Sequence, residues 1–117
     1  MDNNLFPMAT FELTEKKAAL TPKNIDAWRN FSKTIFEAGA LDEKTKQLIA
    51  VAVAHVTQCP YCIRSHTHQA LRKGAAQSEI MEAIWVAAEM RAGAAYAHAN
   101  IAMDEMEKHN QKINRSV

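Results

Sequence analysis

Few residues in this 117-residue chain can staple it, loosen it or break it: two cysteines, three glycines and three prolines. Two cysteines exclude the disulfide frameworks that hold small secreted domains together. The scarcity of glycine and proline excludes a turn-rich β-architecture, and no stretch alternates polar and apolar residues with β-branched enrichment. Charge of one sign is missing as well. A net charge of +1 sets up no field to gather nucleic acid or an anionic membrane, and no basic run is interleaved with aromatics. The longest apolar run, Leu48 to Ala54, is far short of the ~20 residues that a membrane span requires. Met1 to Thr10 carries Asp2 in place of a basic segment, with no long apolar stretch behind it, and does not read as a signal peptide. The expectation is a cytoplasmic protein with no nucleic-acid and no membrane partner. In that compartment thiols stay reduced, and a close cysteine pair is catalytic or metal-binding more often than structural.

What is present favours helix throughout, and the length fits a single domain, 1–117. Apolar residues make up 48 % of the chain, which excludes general disorder. Many of them are alanines, each burying little area, so close helix–helix packing is expected, with a partner subunit covering what one chain leaves bare. Residues 1–20 read as a loosely packed lead-in, with Phe6, Phe11 and Leu13 as its contacts. Thr21-Pro22 reads as N-cap and first helical position, followed by an apolar stripe of Ile25, Trp28, Phe31 and Ile35, with Gly39 as the stop. Asp42 caps the next helix, where Leu48, Ile49, Val51, Val53 and Val56 alternate with alanines. Apolar nearly all round, it is expected to be central and buried. Pro60 forces a break near Thr57-Gln58, and a new helix runs to about Lys73, stopped by Gly74. A further helix spans about Gln77 to Arg91, and Gly93 bends or divides it from a last one reaching about Gln111. The sum is an all-α chain of five to six helices.

The two cysteines lie three apart, in Cys59-Pro60-Tyr61-Cys62, and His66 follows four residues later. With Cys59 as N-cap and Pro60 as the first helical residue, Cys62 takes the third helical position. The Cys59 sulfur then accepts a hydrogen bond from the Cys62 N–H and feels the positive end of the helix dipole. Both effects favour the thiolate, the form that attacks a peroxide or a disulfide. His66 falls one turn beyond Cys62 and about 40° round the same helix. An imidazole there can take the thiol proton or stabilise the thiolate. Two other readings stay open. The cysteines can be small buried hydrophobes beside a surface histidine, or zinc ligands, since Cys-X-X-Cys plus histidine is ligand chemistry. A closed zinc site needs a fourth ligand, and only His55 or His68 is at hand, so no metal and no other cofactor is expected. His55, four residues before Cys59, either faces the cysteines or is a satisfied core histidine. His68 reads as solvated, His98 as a buried partner or interface residue, and His109 as part of a charged tail. Tyr61 shields the pair, touches substrate or simply packs.

These residues resemble the carboxymuconolactone decarboxylase family, and within it the alkylhydroperoxidase D-like branch. The resemblance runs from Leu41 to about His98. It is carried by Leu41-Asp42-Glu43-Lys44-Thr45-Lys46-Gln47-Leu48-Ile49-Ala50, by Cys59 to His66, and by Gly74-Ala75 leading into Glu79-Ile80-Met81-Glu82-Ala83. It implies an all-α helical bundle assembling as a homotrimer or homohexamer. It also implies a cysteine pair that reduces a hydroperoxide substrate and is restored by an external dithiol reductant. In that branch the second cysteine is activated by the histidine four residues on, and a glutamate twelve residues before the first cysteine assists proton transfer. Cys59, Cys62 and His66 match. The glutamate position holds Gln47, which hydrogen-bonds but takes no proton, and Glu43 or His55 is the candidate substitute in a proton relay. The expected activity is thiol peroxidase or disulfide reductase in antioxidant defence. A redox-sensing or structural oligomer without turnover is the alternative. Decarboxylation of a muconolactone is a weaker one, since members with that activity generally do not depend on the cysteine pair.

Overall fold

The computed structural model describes residues 5–116, leaving Met1 to Asn4 and Val117 outside the described residues. Those residues form five helices and no strand: α1 (Phe11–Leu20), α2 (Pro22–Phe36), α3 (Glu43–Thr57), α4 (Pro60–Arg72) and α5 (Gln77–Ser116). The all-α expectation holds, with different boundaries at both ends of the chain.

The lead-in contains a helix that the sequence did not announce. Thr10 caps α1 by accepting from the Leu13 N–H at 3.2 Å, and Glu15 pairs with Arg29 of α2 at 3.3 Å. Only Ala18 of α1 is buried, while Phe11 and Leu20 stay exposed. Capping and intrinsic propensity form this helix, so it leaves no apolar stripe to read. Helix α2 opens with Pro22 at its first position as expected, but it ends at Phe36, ahead of Gly39. A lysine terminates it: Lys46 Nζ donates to the carbonyls of Ile35 and Glu37, at 2.8 and 2.5 Å, satisfying the orphan acceptors of the last turn.

Asp42 caps α3 through its Oδ1, which accepts from the Thr45 N–H at 2.7 Å. Helix α3 is central, packed against both α4 and α5. Its buried face is a single strip, Gln47, Val51 and Ala54. Val51 joins Ala70, Ala75 and Ile80 in the core, with Leu48 and Ile84 against it. The other side of α3 is bare: Ile49, Val53 and Val56 are 47, 52 and 44 % exposed. Two neighbours cover only one side of a helix, so the expectation of all-round burial fails within a single chain.

The break before α4 falls at Gln58, whose φ of 59° and ψ of 44° turn the chain left-handed. The Cys59 N–H returns to Ala54 O at 3.2 Å, and Cys59 becomes the N-cap of α4 with Pro60 behind it. At the far end Gly74, at φ 89°, closes a Schellman motif. Its N–H donates to Leu71 O at 3.0 Å, and that of Ala75 to Ala70 O at 2.9 Å. Glu79 then accepts from the Ala76 N–H at 2.8 Å and pairs with Lys44 at 2.9 Å, tying the start of α5 to the start of α3.

Helix α5 runs unbroken for 40 residues. Gly93 neither divides nor caps it. Glycine in a helix interior costs only about 1 kcal/mol against alanine, and the alanines on both sides keep the helix going. From Ala88 to Arg115 every residue is exposed, and the molecule measures 70 × 37 × 34 Å. Its radius of gyration is 21.4 Å, against roughly 13 Å for a compact chain of this length. The second half of α5 stands clear of the other helices.

Candidate functional site

Cys59 and Cys62 are free thiols, both part-buried, at the head of α4. The Cys62 N–H donates to Cys59 Sγ at 3.3 Å, the contact that an N-cap sulfur makes with the third helical residue. The two thiols also hydrogen-bond, and this splits them. The Cys62 thiol, and after it the Cys62 backbone N–H, holds Cys59 below the ordinary thiol range. Donating that hydrogen bond, together with desolvation, pushes Cys62 up. Of the two thiols Cys59 is therefore the readier to ionise, whereas the resemblance names Cys62 as the sulfur that the histidine activates.

His66 is half-buried, and its burial depresses its pKa, so the ring is neutral near pH 7. The Phe36 ring stacks on it at 5.2 Å between centroids and 25° between planes. His66 Nδ1 lies 2.8 Å from Gln47 Oε1. An amide oxygen only accepts, so Nδ1 carries the ring proton and Nε2 keeps its lone pair. Gln47 is 3 % exposed and donates through Nε2 to Gln69 Oε1 at 3.2 Å. Gln69 in turn donates to Ser65 Oγ at 3.1 Å.

Cys62 and His66 share the wall of a cavity of about 480 Å³. The rest of that wall is mostly apolar, from Ile35 and Phe36 of α2 and from Ile49, Ala50, Val53, Ala54 and Thr57 of α3, with Lys46 at its edge. A neutral base and a thiol thus face one apolar space large enough for a small organic molecule.

Of the sequence candidates, Cys59, Cys62, His66 and Gln47 come together. Glu43 and His55 do not join them. Glu43 forms an ion pair with Lys73 at 2.5 Å. His55 Nδ1 donates to Val51 O at 2.7 Å, a bond within its own helix that satisfies it away from the cysteines. His68, His98 and His109 are exposed. Tyr61 meets Phe6 edge-on, with centroids 6.2 Å apart, which brings the lead-in against the cysteine turn. Among the described residues no three His, Cys, Asp or Glu side chains converge as metal ligands, and no helix is long and apolar enough to cross a membrane. Sequence reading missed Phe36 and Gln69. Gln69 carried a signal, since it lies three residues after His66 and so on the same face of α4. Phe36 carried none, because its contact depends on how α2 and α4 are each set against α3.

The profile of the carboxymuconolactone decarboxylase family matches residues 22–105. Uncharacterized protein 4 in cox locus, from Paracoccus denitrificans, is 69 % identical over 78 residues, 67 % of this chain and 70 % of its own length. The crystal structure of a carboxymuconolactone decarboxylase family protein from Legionella pneumophila superposes with a TM-score of 0.66 at 30 % identity, covering 83 % of this chain and 87 % of that one. Another family protein, from Thermotoga maritima, for which a part in antioxidative response is suggested, gives 0.52 at 26 % identity over 70 % of this chain and 94 % of that one. Profile, sequence relatives and helical frame agree: the chain belongs to the carboxymuconolactone decarboxylase family.

Proposed function

We propose that the protein is a thiol peroxidase or disulfide reductase of the alkylhydroperoxidase D-like kind, working through a Cys59/Cys62 dithiol–disulfide cycle. The observation that carries this reading is the placement of a free thiol, Cys62, and a neutral imidazole, His66, on one apolar cavity wall. A hydroperoxide in that cavity meets Cys62. The thiol proton passes to His66 Nε2 and the sulfur attacks the terminal peroxide oxygen. The O–O bond breaks, the proton returns to the departing alkoxide, and an alcohol leaves while Cys62 becomes a sulfenic acid. The Cys59 thiolate then attacks the Cys62 sulfur and expels hydroxide, which leaves as water. An external dithiol reduces the disulfide by exchange and is itself oxidised.

Gln47 favours a second reading as well. A neutral amide beside His66 gives the imidazolium no counter-charge, which lowers the expected rate and leaves room for a pair that oxidises once and reports it. Consumption of an organic hydroperoxide in the presence of dithiothreitol separates the readings. Catalytic consumption that is lost in Cys62→Ser supports the peroxidase. One equivalent per cysteine pair and no more supports the sensor, and no consumption overturns both. A homotrimer or homohexamer is part of the same proposal, supported by the bare apolar side chains of α2, α3 and α5, among them Trp28, Val53 and Trp85.

A further inference from the structure

We propose that Gln69, acting through Gln47, sets the tautomer of His66 and so decides which ring nitrogen is open to the Cys62 proton. The inference rests on the reading of His66 as proton acceptor and moves one residue further out, to a side chain that touches neither thiol nor cavity.

Gln47 is buried and cannot turn to water, so both ends of its amide need partners inside the protein. Its oxygen faces His66 Nδ1 and its nitrogen faces Gln69 Oε1. Gln69 has its own nitrogen on Ser65 Oγ. An amide turned over keeps its shape and exchanges donor for acceptor, so this chain has two self-consistent directions. In the first, His66 Nδ1–H donates to Gln47, Gln47 to Gln69 and Gln69 to Ser65, which leaves Nε2 bare. In the second, Ser65 donates to Gln69, Gln69 to Gln47 and Gln47 to His66 Nδ1, which moves the ring proton to Nε2. A histidine in that second state has no lone pair left at Nε2 for the Cys62 proton. The first direction is also the one that survives when the ring takes a second proton, since both nitrogens then donate.

The device follows from having an amide at position 47. A carboxylate there accepts only, and it would hold the proton on Nδ1 unaided. An amide accepts or donates according to how it is turned, and Gln69 is the residue that turns it. Gln69 is therefore a positioning residue, acting on the proton transfer through Gln47.

The test uses the full chain labelled with ¹⁵N-histidine, with the ring nitrogens of His66 assigned by comparison with His66→Gln and read at a pH where the ring is neutral. Gln69 is only part-buried, so charged replacements are accommodated. Gln69→Glu offers acceptors only, and the ring proton is expected on Nδ1 as in wild type. Gln69→Lys offers donors only, and the proton is expected to move to Nε2. Ser65→Ala, at an exposed position, adds no charge and is expected to give a mixture, which keeps the test open if the lysine variant does not fold. A ring proton on the same nitrogen in wild type and in every folded variant overturns the inference. If the proton follows residue 69 while none of these proteins consumes peroxide, the tautomer control stands and the peroxidase reading falls. Peroxide turnover with an indifferent tautomer has the opposite meaning.

Discussion

Nδ1 of His66 stands 2.8 Å from Oε1 of Gln47, on a glutamine that is 3 % exposed. Position 47 is thus the nearest place from which charge on the ring can be balanced, and the group there is neutral. Removing the base in His66→Ala is expected to lower peroxide turnover by ~10²-fold, with a smaller loss in Gln47→Ala, which only orients it. Gln47→Glu is expected to raise turnover, because a carboxylate against Nδ1 stabilises the imidazolium formed when the thiol proton arrives. Its apparent base pKa should rise as well. The measurement is a set of pH–rate profiles for wild type and these three variants. A well-folded Gln47→Glu that works more slowly would falsify the proton-transfer scheme.

The two thiols are expected to be unequal. Cys59 is held low by the Cys62 thiol and backbone N–H, and Cys62 is pushed up by donating to it. Iodoacetamide at neutral pH should modify Cys59 first, by mass spectrometry of the digested protein. Cys62→Ala should raise the pKa of Cys59, and Cys59→Ala should lower that of Cys62. Equal alkylation rates at both sites would refute the split.

Acid should weaken the fold through His66. Burial depresses its folded pKa below the ordinary 6.5, so the unfolded chain binds the proton more readily. The stability tied to this group is complete above pH 6.5 and is lost as pH falls through the folded value. Urea midpoints at about pH 7.5 and about pH 5.5 should diverge more in wild type than in His66→Gln. A variant with the same acid slope as wild type would mean that the loss lies elsewhere.

Trp85, Ala92, Ala99, Met106 and Ile113 recur at intervals of seven along α5, and all five are exposed. An apolar residue every seven positions marks a helix–helix seam. Light scattering at micromolar concentration should give a multiple of 13.1 kDa, and Met106→Glu should reduce it. A wild type of 13.1 kDa would rule out the oligomer.

How much of this could be read beforehand differs from element to element. The Cys59 cap, the Pro60 start and the Gly74 stop were legible because each depends on the stereochemistry of one or two residues. The contact of Gln47 with His66 spans 19 positions and two helices, and only the family's glutamate marked position 47 as worth watching. Glu43 and His55 read as relay candidates because they are near in sequence, but Lys73 and Val51 O occupy them. Helix α3 read as buried all round because its apolar residues carry no label saying which chain covers them. Gly93 read as a joint, yet one glycine among alanines is too small a penalty to break a helix packed along its first half.

In the proposed oligomer that unbroken helix would make order in this protein a function of how much of it there is. A lone helix in water is marginal even with favourable residues, since nothing repays the entropy of fixing its backbone. Beyond Ala94, which still shares a cavity wall with Val53 and Val56 of α3, every residue through Arg115 is exposed. In dilute solution this stretch is expected to fray inward from its end, and limited proteolysis should cut there first. If copies pair as proposed, mass action would draw the same stretch into helix, and dilution would move the molecule between a short core with a loose tail and a long rod.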